Sequence, residues 1–158
     1  ERGAVHYEAE IAVLIGKPLS KKPNAEEVMD AISGFAPALD LTLRDVQDQL
    51  KAKGYPWEVA KAFDGACVLA PFVPGDAVVD LRDLGIRLSL NGAVRQDGNS
   101  RDMLNPILPL IQHICGHFSL QPGDVILTGT PAGVGPLASG DQLQLELVDH
   151  SSFVSQVL

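Results

Sequence analysis

The sequence predicts one β-rich domain of mixed α+β class, and three observations predict it. Residues 5–15 place an apolar side chain at every second position, an Asn91-Gly92 pair interrupts an alternating run, and 15 Gly and 11 Pro cut the chain into short pieces. Strict alternation marks a strand with two unlike faces. Asn-Gly is the pair that tight hairpin turns favour, because both residues tolerate positive φ. Frequent turn residues make long helices scarce. At 158 residues and 46% hydrophobic content, the chain can bury one core without disulfide staples. No repeat, low-complexity tract or linker divides it, so residues 1–158 are expected to form a single domain.

The elements follow in order. Val5, Tyr7, Ala9, Ile11, Val13 and Ile15 define one strand whose opposite face starts polar. Asn24 and Glu27 form a capping box, Val28, Ala31 and Ile32 fall at helical spacing, and Gly34 supplies a stop, which predicts a helix at about 25–33. Thr42 and Asp45 suggest a second start, with Leu43, Val46 and Leu50 on one stripe and Gly54 at the end. Residues 66–95 are rich in Val, Leu and Pro and end in Ile86-Arg-Leu-Ser-Leu-Asn-Gly-Ala-Val-Arg95, two strands joined at Asn91-Gly92. Asn105 is expected to cap a helix whose first turn accepts Pro106 and Pro109, and Gly116 to close it. Asp124 to Thr128 and Gln142 to Val148 read as further strands, separated by a loop rich in Gly and Pro.

Charge narrows the partners. Lys and Arg total 12 against 20 Asp and Glu, a formal net charge of −8, and no basic cluster appears. Nucleic acid and anionic membrane are therefore poor partners. An anionic substrate would need a local cation to hold it against this surface. No apolar run reaches the roughly 18 residues that span a bilayer, and no signal pattern opens the chain, so a cytoplasmic location is expected. Cys67 and Cys115 each lie in an apolar stretch and are read as buried free thiols. The chain opens at Glu1-Arg2-Gly3 without Met and enters a strand almost at once, which suggests that a segment precedes it.

Several residues could carry chemistry. On a strand Glu8 and Glu10 share a face, roughly 7 Å apart at their Cα atoms. Such a pair is either the solvated face of an edge strand or a buried pair bridged by a cation; Ala12 and Leu14 on the same face favour burial. Carboxylate oxygens select Mg²⁺ or Mn²⁺, with Ca²⁺ less favoured and Zn²⁺ disfavoured. Asp40 is either a third oxygen ligand or an ordinary helix-start aspartate. Arg44, one turn on, could neutralise it, grip a substrate carboxylate or form a surface ion pair. Lys61 lies in a mostly apolar segment, so its ammonium either snorkels to water or enters a pocket. The loop Thr128-Gly-Thr-Pro-Ala-Gly-Val-Gly135 offers hydroxyls and backbone donors for an anion but lacks the lysine of a phosphate-binding loop. His113 and His117 have metal-ligand spacing, yet no acid joins them, and they read as cations near a helix C-terminus.

In sequence order, His6-Tyr-Glu-Ala-Glu10, Ala38-Leu-Asp-Leu-Thr-Leu-Arg-Asp-Val-Gln47, Ala60-Lys-Ala-Phe63, Asn91-Gly92, Asp102-Met103 and Pro122-Gly-Asp-Val-Ile-Leu-Thr-Gly-Thr-Pro-Ala-Gly-Val-Gly135 together resemble the fumarylacetoacetate hydrolase superfamily. The wording is most similar to its small acylpyruvate hydrolase and oxaloacetate decarboxylase branch. The resemblance implies a β-roll with short peripheral helices, usually a homodimer, with Mg²⁺ or Mn²⁺ on Glu8, Glu10 and Asp40. It further implies that Lys61 is the catalytic lysine and that Arg44, Gln47 and Thr130 line the site of a small 2-oxo acid. Relatives carry a preceding lid with a His and Glu pair that activates water, and this chain begins after it. The function implied first is metal-dependent cleavage of a carbon–carbon bond in acylpyruvate-type 2,4-dioxo acids, through a pyruvate enolate that the metal and Lys61 stabilise. Oxaloacetate decarboxylation and 2-hydroxyhepta-2,4-diene-1,7-dioate isomerisation are alternatives, and a non-catalytic metal-binding dimer is the alternative of another class. His6 is a fallback base behind the lid pair.

Overall fold

The computed structural model describes residues 3–158, so the expected domain over 1–158 and its opening Glu1-Arg2 fall partly outside the described residues. Among the described residues twelve strands and four short α-helices make a curled, strand-rich fold, which is the mixed α+β class expected. A central sheet runs β5 (Cys67–Leu69), β3 (Ile32–Asp40), β2 (Ala9–Ile15) and β9 (Val125–Leu127), with β6 (Val73–Pro74) also paired to β3. A second sheet runs β12 (Ser151–Gln156), β11 (Gln142–Leu147), β7 (Gly85–Leu90) and β8 (Ala93–Asn99). A small third sheet holds β1 (Val5–Tyr7) between β10 (Gly135–Pro136) and β4 (Thr42–Leu43). The helices are α1 (Ala25–Ala31), α2 (Arg44–Lys53), α3 (Glu58–Lys61) and α4 (Ile107–Cys115).

Alternation decides which faces meet. Ile11, Val13 and Ile15 of β2 and Phe35 and Leu39 of β3 enter one core with Ile86 and Leu88 of β7 and Leu143, Leu145 and Leu147 of β11. Val28 of α1 and Ile107 and Ile111 of α4 close it from the side. The opposite face of β2 and β3 carries Ala12, Ala36 and Ala38, small residues packed under Phe72, Val125 and Leu127. At its end this same face turns polar, and that is where the candidate site lies.

Several local expectations need correcting. The strand read over 5–15 is two strands, broken at Glu8. The capping box of α1 forms as expected, but the helix ends at Ala31 and Ile32 starts β3. Gly34 is not a helix stop: a Cβ there would lie 2.7 Å from the carbonyl of Val73, so glycine admits the close approach of β6. Pro106, not Asn105, occupies the cap position of α4, and Gly116 keeps right-handed geometry. Gly54 does close α2 in the left-handed region. The Asn91-Gly92 turn has φ of 51° and 79°, the tight hairpin its sequence predicts. Cys115 is buried, but Cys67 is exposed, because β5 lies at the sheet edge. No helix among the described residues is long and apolar enough to cross a membrane.

Candidate active site

The break at Glu8 marks a change of partners. Upstream, β1 pairs with β4 and β10; downstream, β2 pairs with β3 and β9. Glu8 therefore sits at the seam of two sheets, and its carbonyl accepts from the Asp40 backbone N–H at 2.9 Å. That bond draws the end of β3 alongside the glutamates. Glu10 follows on the face it shares with Ala12, and both glutamates are buried. Asp40 ends β3, where Leu41 and Thr42 lead into α2. The result is three carboxylates, distant in sequence, each offering an oxygen within 4.8 Å of the others. Among the described residues this is the group of three acidic, histidine or cysteine side chains with that geometry.

Among the described residues two cations face the three acids. Lys61, the last residue of α3, donates to Glu8 Oε2 at 2.9 Å and to Thr42 Oγ1 at 2.7 Å, and its Nζ lies 2.5 Å from Asp40 Oδ2. Arg44, the first residue of α2, donates from Nη2 to Glu8 Oε1 at 2.5 Å and from Nη1 to Gln47 Oε1, one helical turn on. Lys61 therefore enters the site and does not snorkel to water. Among the described residues Glu10 takes no cation of its own; its Oε2 accepts from the Gly129 backbone N–H at 2.6 Å. Thr128 anchors the start of that loop through Oγ1, which donates to the Ile11 carbonyl at 2.9 Å.

These partners set the protonation order. Burial opposes ionisation of Glu8, but Lys61 and Arg44 outweigh it and hold its carboxyl below the usual range. Burial pushes Glu10 up to about 7, with the neighbouring Asp40 adding to the rise and the Gly129 N–H opposing it. Burial also raises Asp40, against the pull of Lys61. With all three acids ionised the cluster carries three negative charges against two positive, a net of −1. A divalent ion would fit this donor set: the ligands are all carboxylate oxygens, suited to hard cations, and burial makes two of them, Glu10 and Asp40, resist ionisation.

The same geometry comes with a sequence match along the whole chain: residues 1–158 match the C-terminal fumarylacetoacetate hydrolase domain family. The chain belongs to this family. Over 150 residues, 94% of its length, it is 50% identical to an oxaloacetate tautomerase of Escherichia coli, covering 68% of that protein. Over 144 residues, 91% of its length, it is 39% identical to a mitochondrial oxaloacetate decarboxylase of Dictyostelium discoideum, covering 66% of it. The fold overlays, at a TM-score of 0.93 and 31% identity, on a fumarylpyruvate hydrolase of Pseudomonas aeruginosa crystallised with Mn²⁺ and pyruvate, covering 99% of this chain and 66% of that one. The chain thus spans roughly 60–68% of the length of the curated relatives it matches.

Within this family fold, Glu8, Glu10, Asp40, Lys61, Arg44 and Gln47 converge on one spot. Thr130 is joined to it less directly, through the Gln96 side chain, whose Nε2 donates to Thr130 Oγ1 at 2.8 Å. Sequence reasoning missed Gln96 altogether, because it lies in a strand whose preceding residues are exposed. His6 sits beside the cluster, where burial and then Arg44 lower its pKa. His113 on α4 and His117 just beyond its end meet edge to face, their ring centroids 5.1 Å apart. A cavity of about 470 Å³ is lined by Ile11, Met103 and the 128–132 loop, whose Gly129 N–H donates to Glu10.

Proposed function

We propose that this chain enolises short 2-oxo dicarboxylic acids and that its substrate is oxaloacetate, whose keto and enol forms it interconverts. The observation that carries the reading is the cluster of Glu8, Glu10 and Asp40 with Lys61 and Arg44 on its rim. A dianionic 2-oxo acid could not approach three bare carboxylates. Raising the cluster from −1 to +1, with one divalent ion, turns repulsion into attraction. Carbon–carbon hydrolysis of acylpyruvates, the first expectation from sequence, yields to oxaloacetate chemistry because the 50% identical relative is an oxaloacetate tautomerase. The fumarylpyruvate hydrolase of the same fold keeps hydrolysis as a second reading.

The ion would be Mg²⁺ or Mn²⁺, with Ca²⁺ a poorer fit, held by Glu8, Glu10 and Asp40. Bound there, it supplies Lewis acidity to the 2-oxo and adjacent carboxylate oxygens of the substrate. Arg44 uses two of its five N–H donors on Glu8 and Gln47, and the others can take the distal carboxylate. Enolisation removes a proton from C3, places that electron pair in a C2–C3 double bond, and moves the carbonyl pair onto the keto oxygen, which is then protonated. His6, held neutral by burial and by Arg44, can accept the C3 proton. The ammonium of Lys61 is already engaged, donating to Glu8 and Thr42 and paired with Asp40. Its ammonium thus favours the developing negative charge through its field, and it reaches the enolate directly only by releasing one partner. Decarboxylation breaks the C3–C4 bond instead and leaves the same type of enolate, so one site serves both outcomes. A homodimer in the cytoplasm is part of the same reading, and a non-catalytic metal-binding dimer is what it stands against.

Three assays run in parallel test it: decay of enol-oxaloacetate absorbance, pyruvate formation from oxaloacetate, and cleavage of acetylpyruvate, each with Mn²⁺, with Mg²⁺ and with chelator. The expected result is chelator-sensitive enol decay as the fastest reaction. Acetylpyruvate cleavage with the higher kcat/KM would put hydrolysis first, and no turnover of any substrate would leave the non-catalytic dimer.

A further inference from the structure

Gln96 is the most deeply buried polar side chain near the cluster after Thr42, at 1% exposure, and its position is built by an irregularity. Along the β7–β8 hairpin, Leu90 faces Ala93 and Ser89 faces Val94, so Leu88 should face Arg95; it faces Gln96 instead. Arg95 is the extra residue of a bulge. The bulge shifts the phase of β8 by one, so that Arg95 stays exposed and Gln96 turns inward.

Inside, Gln96 spends its hydrogen bonds on two segments of the site. Its Oε1 accepts from the Ala9 N–H at 2.9 Å, and its Nε2 donates to Thr130 Oγ1 and to the Pro131 carbonyl, both at 2.8 Å. Ala9 is the residue between the two glutamates. It lies where the neighbour of the β1–β2 segment changes from β10 to β9, a gap in the ladder that leaves no strand to receive its N–H. The Gln96 amide takes the place of that missing strand. The loop it grips is equally committed: a Cβ on Gly133 would stand 2.1 Å from the Arg95 carbonyl, and one on Gly98 would stand 2.7 Å from Pro131 Cβ. Loop and strand are in contact too close for any side chain to intervene.

We propose that Gln96 is a positioning residue that holds the Glu8-Ala9-Glu10 backbone and the Thr130 loop as one unit, fixing the spacing of the acidic oxygens and the place of Thr130 against the substrate. The inference rests on the metal-dependent reading of the site. It differs from a merely structural role, in which Gln96 would satisfy buried groups and affect stability alone.

Gln96→Met, close in volume but without the amide, tests this in the full chain. Mn²⁺ affinity is measured by calorimetry without substrate, alongside thermal midpoint and oxaloacetate kinetics, with Leu145→Ala as a control of comparable destabilisation in the second sheet. The expected result is a Mn²⁺ Kd raised about tenfold or more, as outer-shell losses typically give, and a raised KM, while Leu145→Ala melts earlier and keeps both constants. If Gln96→Met does not fold, Gln96→Glu is read the same way: it keeps the acceptor for Ala9 and loses the donor to the loop. Wild-type Kd and KM in the folded variant would overturn the inference. If the wild-type chain binds Mn²⁺ but leaves oxaloacetate untouched, the proposed reaction fails and the Kd comparison still decides the role of Gln96. If the wild-type chain binds no Mn²⁺, the metal reading falls and this inference falls with it.

Discussion

The β7–β11–β12 sheet and the seam at Glu8 are built from the same material by opposite means. In the sheet, β11 pairs with β7 and β12 residue for residue without a shift, and Leu143, Leu145 and Leu147 point inward while Gln142 and Gln144 point out. Backbone ladders do most of the organising there, and the inward side chains fill space while a few polar ones, Asn91 among them, brace the turn and the outer face. At the seam the ladder lapses, and side chains replace it: Gln96 receives the Ala9 N–H, Glu10 receives the Gly129 N–H, and Lys61 ties Glu8 to Asp40. A regular ladder pairs its backbone donors and acceptors with one another. An interrupted one leaves donors and carboxylates in a buried place, where they can be turned to chemistry.

The comparison predicts that substitutions in the two regions fail in opposite ways. Glu10→Gln should lower metal-dependent turnover by a hundredfold or more, on the order of 3 kcal/mol of lost stabilisation at the transition state, with circular dichroism and melting nearly unchanged. Leu145→Ala should cost on the order of 2–5 kcal/mol of stability and leave the turnover number of the folded fraction intact. Glu10→Gln with wild-type turnover would remove the metal assignment and dissolve the contrast.

Lys61→Met should reduce kcat more than it weakens Mn²⁺ binding. Lys61 bridges Glu8 and Asp40, so its loss leaves Arg44 as the cation paired with the cluster, a more negative nest that attracts a divalent ion at least as well. A roughly tenfold to hundredfold loss of kcat with Mn²⁺ affinity undiminished is expected by steady-state kinetics and calorimetry. Equal losses in both would make Lys61 a scaffold for the carboxylates and nothing more.

How much of this was legible in the sequence follows from the same contrast. Where alternation and ladder coincide, as in Leu143-Gln-Leu-Glu-Leu147 or at Asn91-Gly92, reading by period worked. The acidic trio was visible too, since Glu8 and Glu10 share a face with Ala12 and Leu14 and Asp40 closes an apolar run. Period could not reveal the break at Glu8, because β1 and β2 keep the same phase across it. Nor could it find Gln96: a bulge changes the phase of β8, and Val94, Arg95 and Asp97 around it are exposed. Most of β3 was hidden for another reason. Ser33-Gly-Phe-Ala-Pro-Ala38 is small and Pro-containing, weak in local strand preference, and becomes a strand because its long-range pairing with β2 demands it.

The protonation of Glu10 gives a pH signature that the leucine sheet lacks. Its folded pKa of about 7 stands above the ordinary 4.5, so the metal-free fold binds a proton there that the unfolded chain has released. The stabilisation is fully present below about pH 4.5 and is lost as pH rises through about 7, an effect on the order of 3 kcal/mol at most. Asp40, also raised, acts in the same sense; Glu8, lowered, acts oppositely, losing stability as pH falls. The thermal midpoint of chelated protein should therefore decline between pH 5 and 7.5, and Glu10→Gln should flatten that decline. Mn²⁺ should restore the midpoint most at the higher pH, where the carboxylate is free to bind it. An unaltered slope in Glu10→Gln would assign the titration elsewhere.

The smallest effect probes whether the two regions are coupled at all. Gly92 has φ of 79°, and a Cβ there would meet nothing within 4 Å, so Gly92→Ala introduces backbone strain and no clash. A cost of about 1 kcal/mol follows, read as a modest fall in midpoint. The turn is held from outside by Asn91, whose side chain accepts from the Gln142 N–H at 2.9 Å and donates to Asp141 at 2.8 Å, so register should survive. Yet Gly92 is only four residues from Gln96 along β8, and the bulge at Arg95 lies between them. If the bulge absorbs the strain, oxaloacetate kcat/KM stays at its wild-type value and the ladder region is mechanically separate from the seam. A kcat/KM that falls with the midpoint would mean that β8 transmits the register of its hairpin to the carboxylates, and the division between the two regions would have to be redrawn.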